Sequence, residues 1–371
     1  MHVYLFARIS ATEAMPDAAI IPFVLFLLLM VSAPVLVRYA ERANLATIAR
    51  ISAWTGYLWL GWLFLFCSFS FTYDIYRGLV CAAGHLFHRN PSDIVLSPVH
   101  AFLLPLVLSL AAAAYGYFEA GNIHAEHLQL VTSKMPAGID RLRIVQISDL
   151  HSGLIIGEQR VKKVLEQVKK ADPDILVSTG DLVDGQICSY IHLAELFGEI
   201  RPKYGKYAIT GNHEFYVGLK EAKCFIDNAG FTLLRGQMIN LGGVMTIAGV
   251  DDPAAKQFNL GATANENELL ADAPAGRFRL LLKHRPLVDK TAVGLFDLQL
   301  SGHVHKGQIF PFTLLTWLYY PVQSGLAKIT DSSYLYVSRG AGTWGPPIRF
   351  LAPPEIAVID IVRRRDPEVK N

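Results

Sequence analysis

Residues 141–151 read RLRIVQISDLH and residues 174–184 read DILVSTGDLVD. Each is a run of apolar, β-branched residues that ends in a carboxylate, the pattern of a strand buried on both faces whose end opens onto a polar site. The device recurs downstream, where 207–214 reads YAITGNHE, 279–286 reads RLLLKHRP and 298–308 reads LQLSGHVHKGQ. Between such runs, 158–170 has the periodicity of an amphipathic helix and 190–200 reads as a second helix. The alternation predicts an α/β domain, with strands at 142–148, 174–178, 207–210, 244–250, 279–283, 298–301, 334–339 and 355–361.

The polar residues stand just past those strands: Asp149 and His151, Asp181 and Asp184, Asn212, His213 and Glu214, His284, then His303 and His305. In open α/β sheets, ligand sites assemble at strand ends. Residues two apart in an extended segment point the same way, so Asp149 and His151 can bite one ion while His303 and His305 reach adjacent ones. Gly180, Gly211 and Gly302 precede the ligands, where a backbone without Cβ can turn sharply or approach an ion closely. Mixed carboxylate, imidazole and amide donors suit a first-row transition metal better than calcium or magnesium. Any one of these motifs is common in chains that bind nothing; five in order, each at a predicted strand end, are not.

The first third of the chain has a different character. Of 371 residues 52% are hydrophobic and 18% charged, and the apolar excess lies before residue 120. Three runs, 18–37, 51–73 and 96–118, reach the length of about 20 residues that a helix needs to cross a bilayer. Trp54, Tyr57, Trp59, Trp62 and Tyr73 suit the headgroup level, and Pro22, Pro34, Pro98 and Pro105 are tolerated in such spans. Segment 75–87 is short for a crossing and reads as an interfacial or re-entrant helix. The loop with Asp74, Arg77, Arg89 and Asp93 balances its charges, whereas Arg38, Arg42 and Arg50 and then Lys134, Arg141 and Arg143 are basic. Three crossings would place both basic segments in the cytoplasm. The expected divisions are an anchor at 1–120, a connector at 121–140, a catalytic domain at 141–362 and a polar tail at 363–371.

A net charge of +2 with scattered basic residues lacks the footprint of a nucleic-acid binder. Cys67, Cys81, Cys188 and Cys224 have neither a disulfide framework nor zinc-knuckle spacing.

Taken in order, DLH, GDLVD, GNHE, the histidine of KHRP and GHVH resemble the calcineurin-like metallophosphoesterases over residues 141–362. GQIFPF and YLYVSRGAGTWGPPIRF resemble the membrane-associated branch related to YkuE. The resemblance implies a four-layer α/β/β/α sandwich with a dinuclear site between the sheets. One ion would be held by Asp149, His151, Asp181 and His305, the other by Asp181, Asn212, His284 and His303, with Asp181 bridging. The ions implied are divalent or trivalent Mn, Fe or Zn. His213 would meet the phosphate, as general acid or as a stabiliser of transition-state charge. Val304 and Lys306 stand where the branch usually has Thr and Gly; neither is a ligand position, but Lys306 would bear on the phosphate pocket.

The reaction so implied is hydrolysis of a phosphate ester or pyrophosphate by in-line attack of a metal-activated water between ions about 3.5–4 Å apart. Some members of the branch are implied to cleave UDP-2,3-diacylglucosamine in lipid A synthesis, which would suit a bacterial inner membrane and a cytoplasmic-facing site. The motifs do not select it, and hydrolysis of soluble phosphomonoesters or phosphodiesters is the alternative. A non-catalytic metal-binding membrane sensor or scaffold is the alternative from another class.

Other residues have two readings each. Asp184 and Glu214 either orient imidazoles or serve as turn and surface residues. Arg285, Arg339 and Arg349 either pair with substrate phosphate or with carboxylates of the fold. The aromatic-rich segment 309–321, with Phe310, Phe312, Trp317 and Tyr320, is either core or a patch that meets lipid. The second reading would make the bilayer and a lipid-linked phosphate the partners.

Overall fold

The computed structural model describes residues 1–90, 94–260 and 264–364; Asp93, the side chain of Cys188 and residues 365–371 of the tail lie outside the described residues. The chain divides into two compact units. The first joins Met1–Glu119 to two short later segments, Ile309–Pro311 and Gly345–Leu351. It is built on α1 (His2–Ser10), α2 (Asp17–Arg42), α3 (Ala46–Leu86) and α4 (Pro98–Glu119), of which α2, α3 and α4 are long and apolar enough to cross a membrane. Small residues let these segments approach, as membrane helices do. A Cβ on Gly56 of α3 would fall 2.4 Å from Ala33 Cβ of α2, and one on Gly116 of α4 would fall 2.6 Å from Ile348 Cγ2.

Segment 75–87 is not a separate interfacial helix. α3 runs unbroken for 41 residues, about 60 Å at the α-helical rise. Asp74 does not interrupt it, because α1 supplies Arg8 at 2.8 Å and the Tyr4 hydroxyl to its carboxylate.

The second unit carries two six-stranded sheets. The first runs β1 (His124–Thr132), β12 (Glu355–Arg363), β2 (Arg141–Ile147), β3 (Ile175–Ser178), β4 (Lys206–Ala208) and β5 (Thr232–Leu233). The second runs β10 (Gly325–Lys328), β11 (Tyr334–Val337), β9 (Leu298–Ser301), β8 (Phe278–Leu282), β7 (Met245–Gly249) and β6 (Gln237–Leu241). Alternation along β2 separates the layers. Leu142 and Ile144 join Ile247, Leu280 and Leu300 in the core shared by the sheets, whereas Val145 and Ile147 face helices. Those helices are α5 (Glu158–Ala171), packed through Val161, Val164 and Val168, and α8 (Leu219–Asn228), packed through Phe225. On the second sheet, Ala248 and Leu281 pack with Leu270 of α9 (Glu266–Ala271). The order is therefore α/β/β/α.

The second unit also differs from expectation, with β5, β6 and β10 lying outside the predicted strands. Residues 121–140 hold more than a connector, since β1 pairs in parallel with β12 from His124 opposite Glu355 to Thr132 opposite Arg363. β1 ends the sheet and stays largely accessible, so its polar residues hide it from a search for buried strands. In 190–200 the helix shrinks to α6 (His192–Glu195), followed by a 3-10 turn at Leu196–Glu199. The last short helices are α7 (Asn212–Val217), whose first turn is the NHE of GNHE, and α10 (Phe312–Tyr319), which follows the GHVH loop.

Candidate metal centre

The motif residues gather where the strands end, and the backbone that carries them is bent into an uncommon conformation. Asp149, His151, Asp181, His303 and His305 have φ between 47° and 72°, the left-handed region that L-residues occupy at a cost of about 1–3 kcal/mol each when function demands it. Neighbouring loops hold the bends in place. The amides of Asp149, His151 and Ser152 donate to the carbonyls of Gly180, Asp181 and Leu182 at 2.9–3.0 Å. Glycine is needed where the loops touch: a Cβ on Gly211 would lie 2.2 Å from Asp181 Oδ1, and one on Gly302 would lie 2.2 Å from Asp149 Oδ2.

Two imidazole–carboxylate groups result, Asp149 with His151 and His305, and Asp181 with His284 and His303; within each, one donor atom per residue lies within 4.8 Å of the others. In the first, His151 Nε2 faces His305 Nε2 at 3.1 Å, and His305 Nε2 is 3.5 Å from Asp149 Oδ1. In the second, His303 Nδ1 faces His284 Nε2 at 3.1 Å, and His284 Nε2 is 3.3 Å from Asp181 Oδ2. The same Asp181 oxygen is 3.8 Å from His151 Nε2, so it stands between the two groups.

The donor set fits metal ions. The Thr179 carbonyl can only accept, so His284 donates to it through Nδ1 at 2.8 Å and turns Nε2 to the cluster, an arrangement usual for metal-ligating histidine. Burial, then the positive charge of His213, holds His151 down at about 4, and burial, then the positive charge of His284, holds His303 down at about 3. Neutral rings are what a metal requires. For His284, burial opposes charge but Asp181 prevails and raises it to about 10: a positive charge belongs at this place. The buried Asn212 Oδ1 has no hydrogen-bond partner among the described residues, as a donor atom reserved for an ion would have.

His213 stands beside the first group, its ring 4.5 Å from that of His151 and nearly perpendicular. Its Nδ1 meets Asp184 Oδ1 at 3.0 Å. His151, Asp184 and His213 are also close enough to hold an ion, but Asp184 and His213 already satisfy one another. Burial would lower the His213 pKa; the Asp184 hydrogen bond and the charges of Asp181, Asp184 and Glu214 outweigh it and raise it to about 9.

Glu214 orients no imidazole. Its fully buried carboxylate accepts the amides of Asp181 at 2.9 Å, Gly211 at 2.6 Å and Leu182 at 2.8 Å, clamping the GDLVD loop to the GNHE loop. Arg339 is engaged in the fold, its guanidinium paired with Glu126 at 2.5 Å and Glu355 at 2.7 Å and donating to the Pro353 carbonyl at 2.8 Å. Arg349 is fully buried within the helical unit. Arg285 is held by Asp252 at 2.7 and 3.0 Å. Lys306, half-buried, follows His305 in a tight turn with φ 50°. Two contributors carried no sequence signal: the Thr179 carbonyl, and Ser148, whose hydroxyl donates to Asp149 Oδ2.

Two stacked sheets with histidine and aspartate converging from their strand ends define a metal-dependent hydrolase scaffold. Residues 142–307 match the family model described as calcineurin-like phosphoesterase. An uncharacterised metallophosphoesterase of Aquifex aeolicus is 36% identical over 258 residues, 69% of this chain and 98% of that one. The uncharacterised metallophosphoesterase YkuE of Bacillus subtilis is 34% identical over 267 residues, 68% of this chain and 91% of that one. A transmembrane protein with metallophosphoesterase domain from Danio rerio is 29% identical over 297 residues, 76% of this chain and 68% of that one. The chain belongs to the calcineurin-like phosphoesterases and is a hydrolase of that class.

Proposed function

We propose that this chain hydrolyses a phosphate ester or phosphoric anhydride of a lipid-linked, membrane-proximal substrate at a two-metal centre. The observation that carries the reaction is the Asp181 Oδ2 atom, 3.3 Å from His284 and 3.8 Å from His151, between two donor groups. Asp149, His151, Asp181 and His305 would hold one ion, and Asp181, Asn212, His284 and His303 the other; Mn, Fe or Zn suits these donors. Such a pair supplies Lewis acidity toward phosphoryl oxygens and makes water a competent nucleophile at neutral pH.

The remaining chemistry belongs to side chains. His213, held near pKa 9 against burial by Asp184 and its neighbours, keeps a proton at neutral pH. With Nδ1 turned to Asp184, its Nε2 is left to donate to the departing oxygen. Asp184 fixes the ring, and Glu214 fixes the backbone of the bridging aspartate.

The membrane-proximal substrate is supported by α2, α3 and α4 in the same chain and by relatives named as transmembrane proteins. Arg38 and Arg42 at the end of α2 and Arg50 at the start of α3 favour a catalytic domain on the cytoplasmic side of a bacterial inner membrane. Nothing in the site selects UDP-2,3-diacylglucosamine over other lipid-linked pyrophosphates.

The test is turnover by the metal-reconstituted full chain in detergent, with lipid-linked pyrophosphates set against soluble phosphodiesters. Preferential hydrolysis of the lipid-linked compounds is expected. A protein that retains its metals and turns over none of a broad panel would instead be a sensor or scaffold.

A further inference from the structure

The sequence of α10, FTLLTWLY, is worn inside out. Its two threonines turn to the protein: Thr313 Oγ1 donates to the Lys306 carbonyl at 2.8 Å and Thr316 Oγ1 to Gln323 Oε1 at 2.7 Å. Leu314, Leu315, Trp317, Leu318 and Tyr319 point away from it and are 54–77% exposed. None of the eight residues is buried and none is charged. A helix on a water-facing domain shows the reverse arrangement, with its apolar stripe inward.

Two neighbours say what this helix meets. Ile309–Pro311, which leads directly into α10, belongs to the helical unit, where Ile309 is buried with Leu65 of α3 and Ala112 of α4. α10 therefore starts one peptide bond from a segment packed among membrane-length helices. At the other end, the Tyr320 ring lies 5.5 Å from the ring of His303, beside the metal centre.

We infer that α10 lies in the lipid–water interface, with its leucines among acyl chains and Trp317 and Tyr319 at the headgroups, and that it brings the bilayer surface to the rim of the metal centre. The occupant is lipid because the exposed apolar residues come in adjacent pairs, 314 with 315 and 317 with 318. They form a broad face, where docking a single partner helix would need only a narrow seam. Aromatic side chains with one polar atom suit the headgroup boundary. Lipid contact stands on these observations alone. Its consequence, that substrate arrives along the bilayer, rests on the function proposed above.

The test places p-benzoylphenylalanine at Leu318, or as a control at Lys162 on the accessible face of α5, in the full chain reconstituted into phosphatidylethanolamine–phosphatidylglycerol vesicles. Irradiation should give phospholipid adducts at position 318 and none at 162. Crosslinks to a second copy without lipid, or no adduct at 318, overturn the inference. A second readout is Trp317→Ser combined with Leu318→Ser, which should raise KM for a vesicle-borne phosphate ester by about tenfold through lost apolar contact and leave turnover of a soluble ester unchanged. Loss of both activities together with the melting temperature would show α10 to be structural core. Should the unsubstituted protein hydrolyse no ester at all, the hydrolase reading fails while the crosslink still reports on α10.

Discussion

The buried His213 reaches two carboxylates at once: Nδ1 lies 3.0 Å from Asp184 Oδ1, and the backbone amide donates to Asp181 Oδ1 at 2.8 Å. One residue thus ties the proposed acid to the proposed bridge, through different atoms. Side-chain removal should cut only the first tie. His213→Ala is expected to keep two metal equivalents while kcat falls by about 10²–10⁴, the usual worth of a positioned acid. Asp184→Asn should also lower kcat and keep the metals. Elemental analysis beside turnover checks both, and metal loss from either variant would remove the distinction.

Asp181→Asn and His303→Ala should behave in the opposite way. Asp181 Oδ2 stands between both donor groups, and His303 faces His284 at 3.1 Å, so each change should lower metal content and abolish turnover together. Two retained equivalents in both variants would refute the ligand assignment.

Glu214→Gln should damage the fold before it touches chemistry. A glutamine offers one acceptor oxygen where three amides now converge, and its NH₂ would confront a backbone N–H. An unsatisfied buried donor costs about 1–3 kcal/mol, so the melting temperature should drop, with metal affinity falling because the Asp181 loop loosens.

Acid sensitivity should have one identifiable source in the first sheet. Arg143 grips Asp360 across β2 and β12 at 2.8 and 2.9 Å, and these hydrogen bonds hold the Asp360 carboxyl below its ordinary value, with burial opposing. A depressed folded-state pKa gives stability that is present in full above the unfolded carboxylate's pKa of about 3.9 and is lost as pH falls through the folded value. Asp360→Asn should therefore destabilise at pH 7 by about 1 kcal/mol or less, given solvent screening. The difference from the unsubstituted protein should vanish in strong acid, as thermal melts across pH will show.

Orientation can be read with a reporter fused after Asn371. Activity on the cytoplasmic side is expected from three crossings and the arginines where α2 ends and α3 begins. Activity only on the outer side would reverse the topology and remove cytoplasmic substrates from consideration.

The candidate ligand residues were legible because each stands two to four positions past a strand that its own apolar run announces. What stayed hidden depends on partners remote in sequence. Asp74 looks like the end of a span until Arg8, 66 residues earlier, neutralises it, and the helix then continues. Arg339 looks like a phosphate hook until Glu126, 213 residues away, takes its guanidinium. Glu214 sits beside a histidine in sequence, yet its oxygens serve backbone amides, which no side-chain pattern encodes. The inversion of α10 was equally silent, since FTLLTWLY reads the same whether its leucines face core or lipid.

The pairing of β1 with β12 bears on how the catalytic half can be handled apart from its anchor. A fragment begun at Arg141, the first residue of the DLH strand, would strip β1 away and leave one flank of β12 without hydrogen-bond partners along Glu355–Arg363. The strand so bared carries Ile356, Val358, Ile359 and Ile361 on its two faces, a β-branched stretch of the kind that recruits strands from other molecules. Such a fragment should precipitate or assemble into oligomers unrelated to its biology, even with every metal ligand in place. A well-behaved soluble form has to retain the chain from Ala120 onward.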